Sequence, residues 1–153
     1  GNIKHMTTIR ITKEFRFETS HILKDYDGLC KNIHGHSYRL MVTVSGSPIN
    51  DDKSPKNGMV IDFGDLKSIV YEDIVNKYDH TLVVNEDSTE AVKEAMKIAT
   101  GRVIFTPYQP TCENMVAEFA RLIKDKLPAQ ISLCCVRLYE TPTSYAEWLE
   151  GDN

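Results

Sequence analysis

His34-Gly35-His36 opens a segment, continuing through Tyr38 to Gly46, that alternates apolar and polar residues and carries Leu40, Val42 and Val44 on one face. On a strand, residues i and i+2 project from the same face, about 6–7 Å apart along it. Two imidazoles placed in this way can converge on one ion. Gly35 between them faces away and lets the backbone pack closely. His21 ends an earlier alternating segment, which would pair with this one as a hairpin. Three imidazoles with a fourth position open form the ligand set of a catalytic zinc rather than of a closed structural site.

Other residues could carry proton chemistry. Cys30 lies four residues before His34, among Asp, Gly, Lys and Asn. A thiol beside a divalent cation or a histidine has a lowered pKa and is available as thiolate. Cys112 competes for that role, because it starts a helix whose dipole can also depress a thiol pKa. Cys134 and Cys135 sit in an apolar run and read as small buried side chains. Asp79-His80 sets a carboxylate next to an imidazole, the pairing that fixes the tautomer of a base; two neighbours in a loop are the plain alternative. Glu140 follows an apolar run and can be drawn into a pocket, where a carboxylate accepts two parallel N–H bonds from an amidine-like ligand edge. Glu113 falls in a first helical turn, a position favourable to a carboxylate for structural reasons alone.

The elements that must position these residues follow from periodicity. Thr7 to Glu18 alternates, with Ile9, Ile11, Phe15 and Phe17 apolar, and reads as a half-buried strand. Residues 25–32 read as a loop, as do 48–58, and Met59–Ile61 as a short strand. Asp62 caps a helix over about 63–77, with Leu66, Ile69, Val70 and Ile74 at helical spacing. A loop then leads to a short strand ending at Asn85. Ser88 or Thr89 begins a polar helix to Ala99, followed by a strand over 102–105. Pro110 and Thr111 precede an amphipathic helix to Leu127, which Pro128 stops. Ile131–Glu140 is a strand expected to be buried on both faces, and 141–148 an irregular tail. The order predicts an α+β domain with helices on one face of a mostly antiparallel sheet. Such a sheet leaves open edges, and assembly through them is expected.

Composition narrows the class. The chain has 153 residues, enough for one domain; residues 7–153 are taken as that domain and 1–6 as an expression-tag remnant before the natural start at Met6. Apolar residues make up 41 % and charged residues 26 %, which excludes disordered and disulfide-dense classes. Net charge is −4, so no overall basic field is available for nucleic acid. No apolar run is long enough to span a bilayer. Four cysteines without a disulfide framework point to a reducing cytoplasm.

Taken together, Phe17-Glu-Thr-Ser-His21, Cys30-Lys-Asn-Ile-His34-Gly-His36-Ser-Tyr38, the 58–67 segment, Asp79-His80, Pro110-Thr-Cys-Glu-Asn114 and Glu140-Thr-Pro-Thr-Ser144 resemble the 6-pyruvoyl-tetrahydropterin synthase family, and most closely its 6-carboxy-tetrahydropterin synthase branch. The resemblance implies a tunnelling fold: a four-stranded antiparallel sheet with two main helices on one face. Subunits would join their sheets into a barrel, two trimers forming a homohexamer with sites near subunit boundaries. It implies zinc on His21, His34 and His36, and catalysis by the Cys30 thiolate and by His80 oriented by Asp79. It implies 7,8-dihydroneopterin triphosphate as substrate, its pterin ring held by Glu140, with Thr111 and Glu113 as further substrate-binding residues. The products would be 6-carboxy-tetrahydropterin, acetaldehyde and triphosphate, on the route to 7-deazaguanine and queuosine. The spacing Cys30-x-x-x-His34 and Ile61-Asp62-Phe63 carry the branch assignment. A pyruvoyl-type synthase is the alternative within the family, and an inactive pterin- or zinc-binding module the alternative outside catalysis.

The chain also departs from the family pattern. Tyr78 stands before Asp79-His80 where Leu is usual, and Cys112 sits inside the Pro-Thr-x-Glu-Asn motif. About 86–105 reads as an inserted helix and strand. Lys13, Arg16, Lys31 and Arg39 are the candidates for the triphosphate, without forming a basic cluster.

Overall fold

The computed structural model describes residues 7–26 and 32–153. Strand β1 (Ile9–Ile22) buries Phe15, Phe17, Thr19 and His21 on one face, as its alternation predicts, and runs four residues past Glu18. It pairs antiparallel with β2 (His34–Gly46) in unbroken register from Ile9 opposite Gly46 to His21 opposite His34. Side-chain period is two, so this register alone puts His21, His34 and His36 on one face.

Beyond β2 lie β5 (Ser132–Thr141) and β6 (Ser144–Leu149), both antiparallel to their neighbours. On the other side, β3 (Thr81–Asn85) runs parallel to the end of β1, and β4 (Val103–Thr106) parallel to β3. The sheet order is β4-β3-β1-β2-β5-β6, six strands rather than four. The expected antiparallel four are present as β1, β2, β5 and β6; the segments read as a short strand and an insertion extend them as a parallel pair.

Three local expectations are corrected. The tail is not irregular: Thr141 pairs with Ser144 across a tight turn, and Ala146 and Trp148 of β6 turn toward the core. Residues 59–61 form no strand, and 60–61 are a bend. Gly58, at φ +87°, turns the chain so that its N–H and the Met59 carbonyl both bond Ile49, which closes the loop on itself. Nor is β5 buried on both faces: it alternates, with Leu133, Val136 and Leu138 inside and a bulge between the Cys135 and Leu133 pairings. Its apolar run reflects the bulge, which breaks simple alternation.

Helix α1 (Phe63–Val70) is capped by Asp62, whose carboxylate accepts the Gly64 N–H, and continues through a π-turn (Tyr71–Val75) into α2 (Asn76–Tyr78). Helix α3 (Glu90–Ala99) carries no buried residue. Helix α4 (Cys112–Lys126) is capped by Thr111. Leu66, Val70 and Ile74 from the first helix and Met115, Phe119 and Ile123 from α4 pack on Phe15, Phe17, Leu40, Val42 and Leu138 of the sheet. Burial of each such side chain contributes about 1.5–3 kcal/mol before entropy is counted. Among the described residues, no helix is long and apolar enough to cross a membrane.

Candidate active site

At the end of the β1–β2 hairpin, one ligand atom from each of His21, His34 and His36 lies within 4.8 Å of the others. His21 Nδ1 is 2.7 Å from the Pro110 carbonyl and His34 Nδ1 is 2.8 Å from the Asn32 carbonyl. Each Nδ1–H donates to its carbonyl, which fixes the tautomer and leaves Nε2 with its lone pair. The two Nε2 atoms stand 2.9 Å apart. His36 Nε2 is buried without a hydrogen-bond partner. Tetrahedral zinc with bonds of about 2.0–2.1 Å sets its nitrogens roughly 3.4 Å apart, so the triad closes on an ion with small adjustments. Burial is the main influence holding the His21 and His36 pKa values below the usual 6.5, so both rings are neutral and free to ligate at neutral pH. Three converging imidazoles, two with Nδ1 pinned to a carbonyl and the third with a buried, unpartnered Nε2, fit a zinc-type cation.

Glu140 comes to the same place from β5, one residue beyond the Arg39–Tyr139 pair. Its Oε1 lies 3.4 Å from His36 Nε2 and 3.7 Å from His21 Nε2. Tyr38, 1 % exposed, packs its ring edge against His36 and stacks on Phe17, and its hydroxyl has no partner meeting hydrogen-bond geometry. Glu140 and Glu113 line a cavity of about 460 Å³ together with Cys112, Ser144 and Tyr145. Thr111 caps α4, its hydroxyl accepting the Asn114 N–H at 3.2 Å. Cys112 donates its S–H to the Leu138 carbonyl, and burial pushes its thiol up to about 11. It is therefore a thiol near neutral pH, and the helix-start argument for a Cys112 thiolate fails because desolvation outweighs the dipole. Cys30 and Lys31 lie outside the described residues.

Asp79 and His80 are brought to the outer edge of β1. Asp79 Oδ1 accepts the Glu18 N–H at 2.8 Å and lies 3.0 Å from His80 Nδ1, so the carboxylate and imidazole do face each other. The Glu18 N–H is the main cause holding the Asp79 carboxyl below its usual pKa. His80 has φ 57° and a largely exposed side chain. It lines a depression of about 360 Å³ with His36, Glu18, Ser20 and Ser37. Glu18, Ser20 and Ser37 belong to the face of the sheet away from the helices. Within one chain His80 thus shares this depression with His36 of the triad, while Glu140 lines the separate cavity beside Glu113. Of the basic candidates, Arg16 and Arg39 share a cavity of about 290 Å³ on that open face, while Lys13 lies over the Phe15 and Phe63 rings. Arg39 Nε is 2.7 Å from Glu14 Oε1, and its guanidinium stacks on Tyr139.

Sequence reading missed three contributors. The Pro110 carbonyl carries no side-chain signal at all. Tyr38 follows His36 at i+2 and shares its face, which spacing could have shown. Arg102, whose guanidinium reaches the Asp79 carbonyl, is 23 residues away from it and gave no local cue.

This hairpin-borne triad on an α+β sheet defines the class. The model of the 6-pyruvoyl tetrahydropterin synthase family matches residues 10–150, and the chain belongs to that family. Among its relatives, a Haemophilus influenzae protein named 6-carboxy-5,6,7,8-tetrahydropterin synthase is 38% identical over 146 residues, covering 92% of this chain and 99% of that one. A Rickettsia conorii protein of the same name is 28% identical over 141 residues, with 91% and 99% covered. The 6-pyruvoyl tetrahydropterin synthase of Caenorhabditis elegans shares the fold with a TM-score of 0.65 at 23% identity, over 94% of this chain and 96% of that one. That of Plasmodium falciparum does so at 0.68 and 21%, over 92% and 96%.

Proposed function

We propose that the chain converts 7,8-dihydroneopterin triphosphate and water to 6-carboxy-5,6,7,8-tetrahydropterin, acetaldehyde and triphosphate. The observation that carries this reading is the convergence of His21, His34 and His36 with Glu140 beside a cavity of about 460 Å³. The names of the 38% and 28% identical relatives support the carboxy product over the pyruvoyl one.

His21, His34 and His36 would hold zinc through their Nε2 atoms. Bound there, the ion supplies Lewis acidity, lowering the pKa of the hydroxyl groups it meets. The chain's own residues do the rest. Glu140 accepts N–H bonds from the amino group and ring nitrogen of the pterin, a bidentate contact that orients the side chain toward the triad. Glu113, on the same cavity wall, adds an acceptor, and Thr111 holds the start of α4 that presents it. The Cys30 thiolate takes a proton from the substrate side chain. His80, with Asp79 fixing its tautomer, is the second proton-transfer group.

The sheet edges support assembly. Strand β3 covers only Thr19–Ile22 of the outer edge of β1, and β6 ends the sheet on the other side. The remaining length of β1 and the outer edge of β6 can pair between copies, closing a barrel with its sites near subunit boundaries.

The test is anaerobic incubation of zinc-loaded protein with dihydroneopterin triphosphate, followed by mass spectrometry. A 6-carboxy-tetrahydropterin mass with acetaldehyde is expected. A 6-pyruvoyl product would overturn the branch, and absence of turnover in folded, zinc-loaded protein would overturn the reaction.

A further inference from the structure

The helix that runs from α1 to α2 ends at Tyr78, and a helix end leaves its last carbonyls without intrahelical partners. Here four consecutive carbonyls are each taken by a side chain. Thr81 Oγ1 donates to Lys77 O at 2.8 Å and Thr19 Oγ1 to Tyr78 O at 2.8 Å. One guanidinium nitrogen of Arg102 donates to both Asn76 O and Asp79 O at 3.0 Å. Arg102 is thus the only charged donor of the three and the one that spans the end of the helix. A cation at a helix C-terminus is favourable for the macrodipole as well as for the open carbonyls.

Arg102 is itself held. Its N–H donates to Thr100 Oγ1 at 3.1 Å, and its carbonyl accepts the Leu82 N–H at 2.9 Å, where β4 begins to pair with β3. The clamp is therefore anchored two residues past His80, on the strand that closes the 86–105 segment. On the other side of the turn, β1 grips the same residues: the Glu18 carbonyl accepts the His80 N–H, and Asp79 Oδ1 accepts the Glu18 N–H. Between these grips His80 keeps φ 57°, a conformation a non-glycine residue holds only when its surroundings impose it.

We infer that Arg102 is a positioning residue, which fixes the Asp79–His80 turn from outside the sheet and gives the 86–105 segment a role in catalysis. The inference rests on the reading of His80 as a proton-transfer group. Arg102 touches no substrate; it acts by limiting where the imidazole can go. The exposed arginine can be replaced without opening the core.

The test uses the full chain, with Arg102→Met to keep the stem and remove the donors, and Arg102→Lys to restore one charged donor. Amide hydrogen exchange at Asp79, His80 and Thr81 is expected to speed up by about tenfold in Arg102→Met, with the Leu40 and Val42 amides unchanged. kcat is expected to fall by about tenfold with KM within about twofold, and Arg102→Lys to recover part of it. In a His80→Ala background, Arg102→Met should lower the residual rate no further, because a residue acting through His80 has nothing left to act on. Unchanged exchange at the turn overturns the inference. So does a loss of rate that persists in full in the His80→Ala background. Wild-type turnover by His80→Ala alone would sink the reading of His80 and the catalytic role of Arg102 with it, and accelerated exchange would then leave Arg102 as a brace of the helix end only.

Discussion

His21 shows how a histidine can be prepared for metal ligation. The residue is 1 % exposed, its Nδ1–H is bonded to Pro110 O, and burial holds its pKa below the usual 6.5. The only free atom is Nε2, aimed at the two partners from β2. Simultaneous His34→Ala and His36→Ala should abolish stoichiometric zinc, measured by elemental analysis after dialysis, with the fold retained because both rings are only partly buried. His21→Ala should also destabilise, by about 1–3 kcal/mol, since it leaves the Pro110 carbonyl unpaired in the interior. Asp79 makes a prediction of its own. The folded state holds its carboxyl below the ordinary 3.8, so as pH falls the unfolded chain takes up this proton first. Its contribution is complete above the unfolded value and is lost as pH falls through the folded one. Asp79→Asn cannot ionise, and its urea midpoint should therefore decline less steeply than that of the wild type below about pH 4.

At the scale of elements, the β1–β2 hairpin is the device that makes the site. Its thirteen consecutive pairs leave no slack between His21 and His34, and a slip by one residue would send the β2 histidines to the opposite face. Helix α4 serves the site from behind. Thr111 caps it, Glu113 reaches the cavity, and Phe119 packs against Phe17 and Tyr78. Thr111→Ala should cost about 1 kcal/mol of stability by loss of the cap, and Thr111→Ser should restore it. Thermal melts would check this directly. If Thr111→Ser restored stability yet left KM raised, the residue would also contact substrate; if both recovered together, its part in binding would be confined to holding α4.

The whole molecule has an unequal sheet. One face is filled by α1 and α4, while the other carries Glu14, Arg16, Arg39, Tyr139, Arg137 and Glu147. Arg137 pairs with Glu147 at 2.8 Å and stacks on Tyr145, as Arg39 pairs with Glu14 and stacks on Tyr139. These pairs leave the open face polar, unsuited to contact with a second apolar layer and compatible with the interior of the proposed barrel. Sedimentation at micromolar concentration is therefore expected to give six chain masses. A monomer at that concentration would overturn the proposed pairing of sheet edges between copies.

The sequence by itself determined the histidine cluster, the two capped helices on one face and the antiparallel hairpin, because each rests on local signals: i, i+2 spacing, helical periodicity and cap residues adjacent in the chain. It also marked Glu140, through the apolar run before it. What it could not carry was set by pairing between distant segments. The six-strand sheet depends on β3 and β4 finding a parallel place beside β1, and the 141–148 tail became a strand only because the end of β5 offered it an edge. Cys112 competed with Cys30 for the thiolate role by its helix position and is held as a thiol because the Leu138 carbonyl and the core enclose it. The placement of Asp79–His80 against Glu18, and the grip of Arg102 on that turn, follow from how distant segments pack against β1. That is decided by tertiary contacts, since neighbouring residues in sequence do not specify which distant backbone will accept their hydrogen bonds.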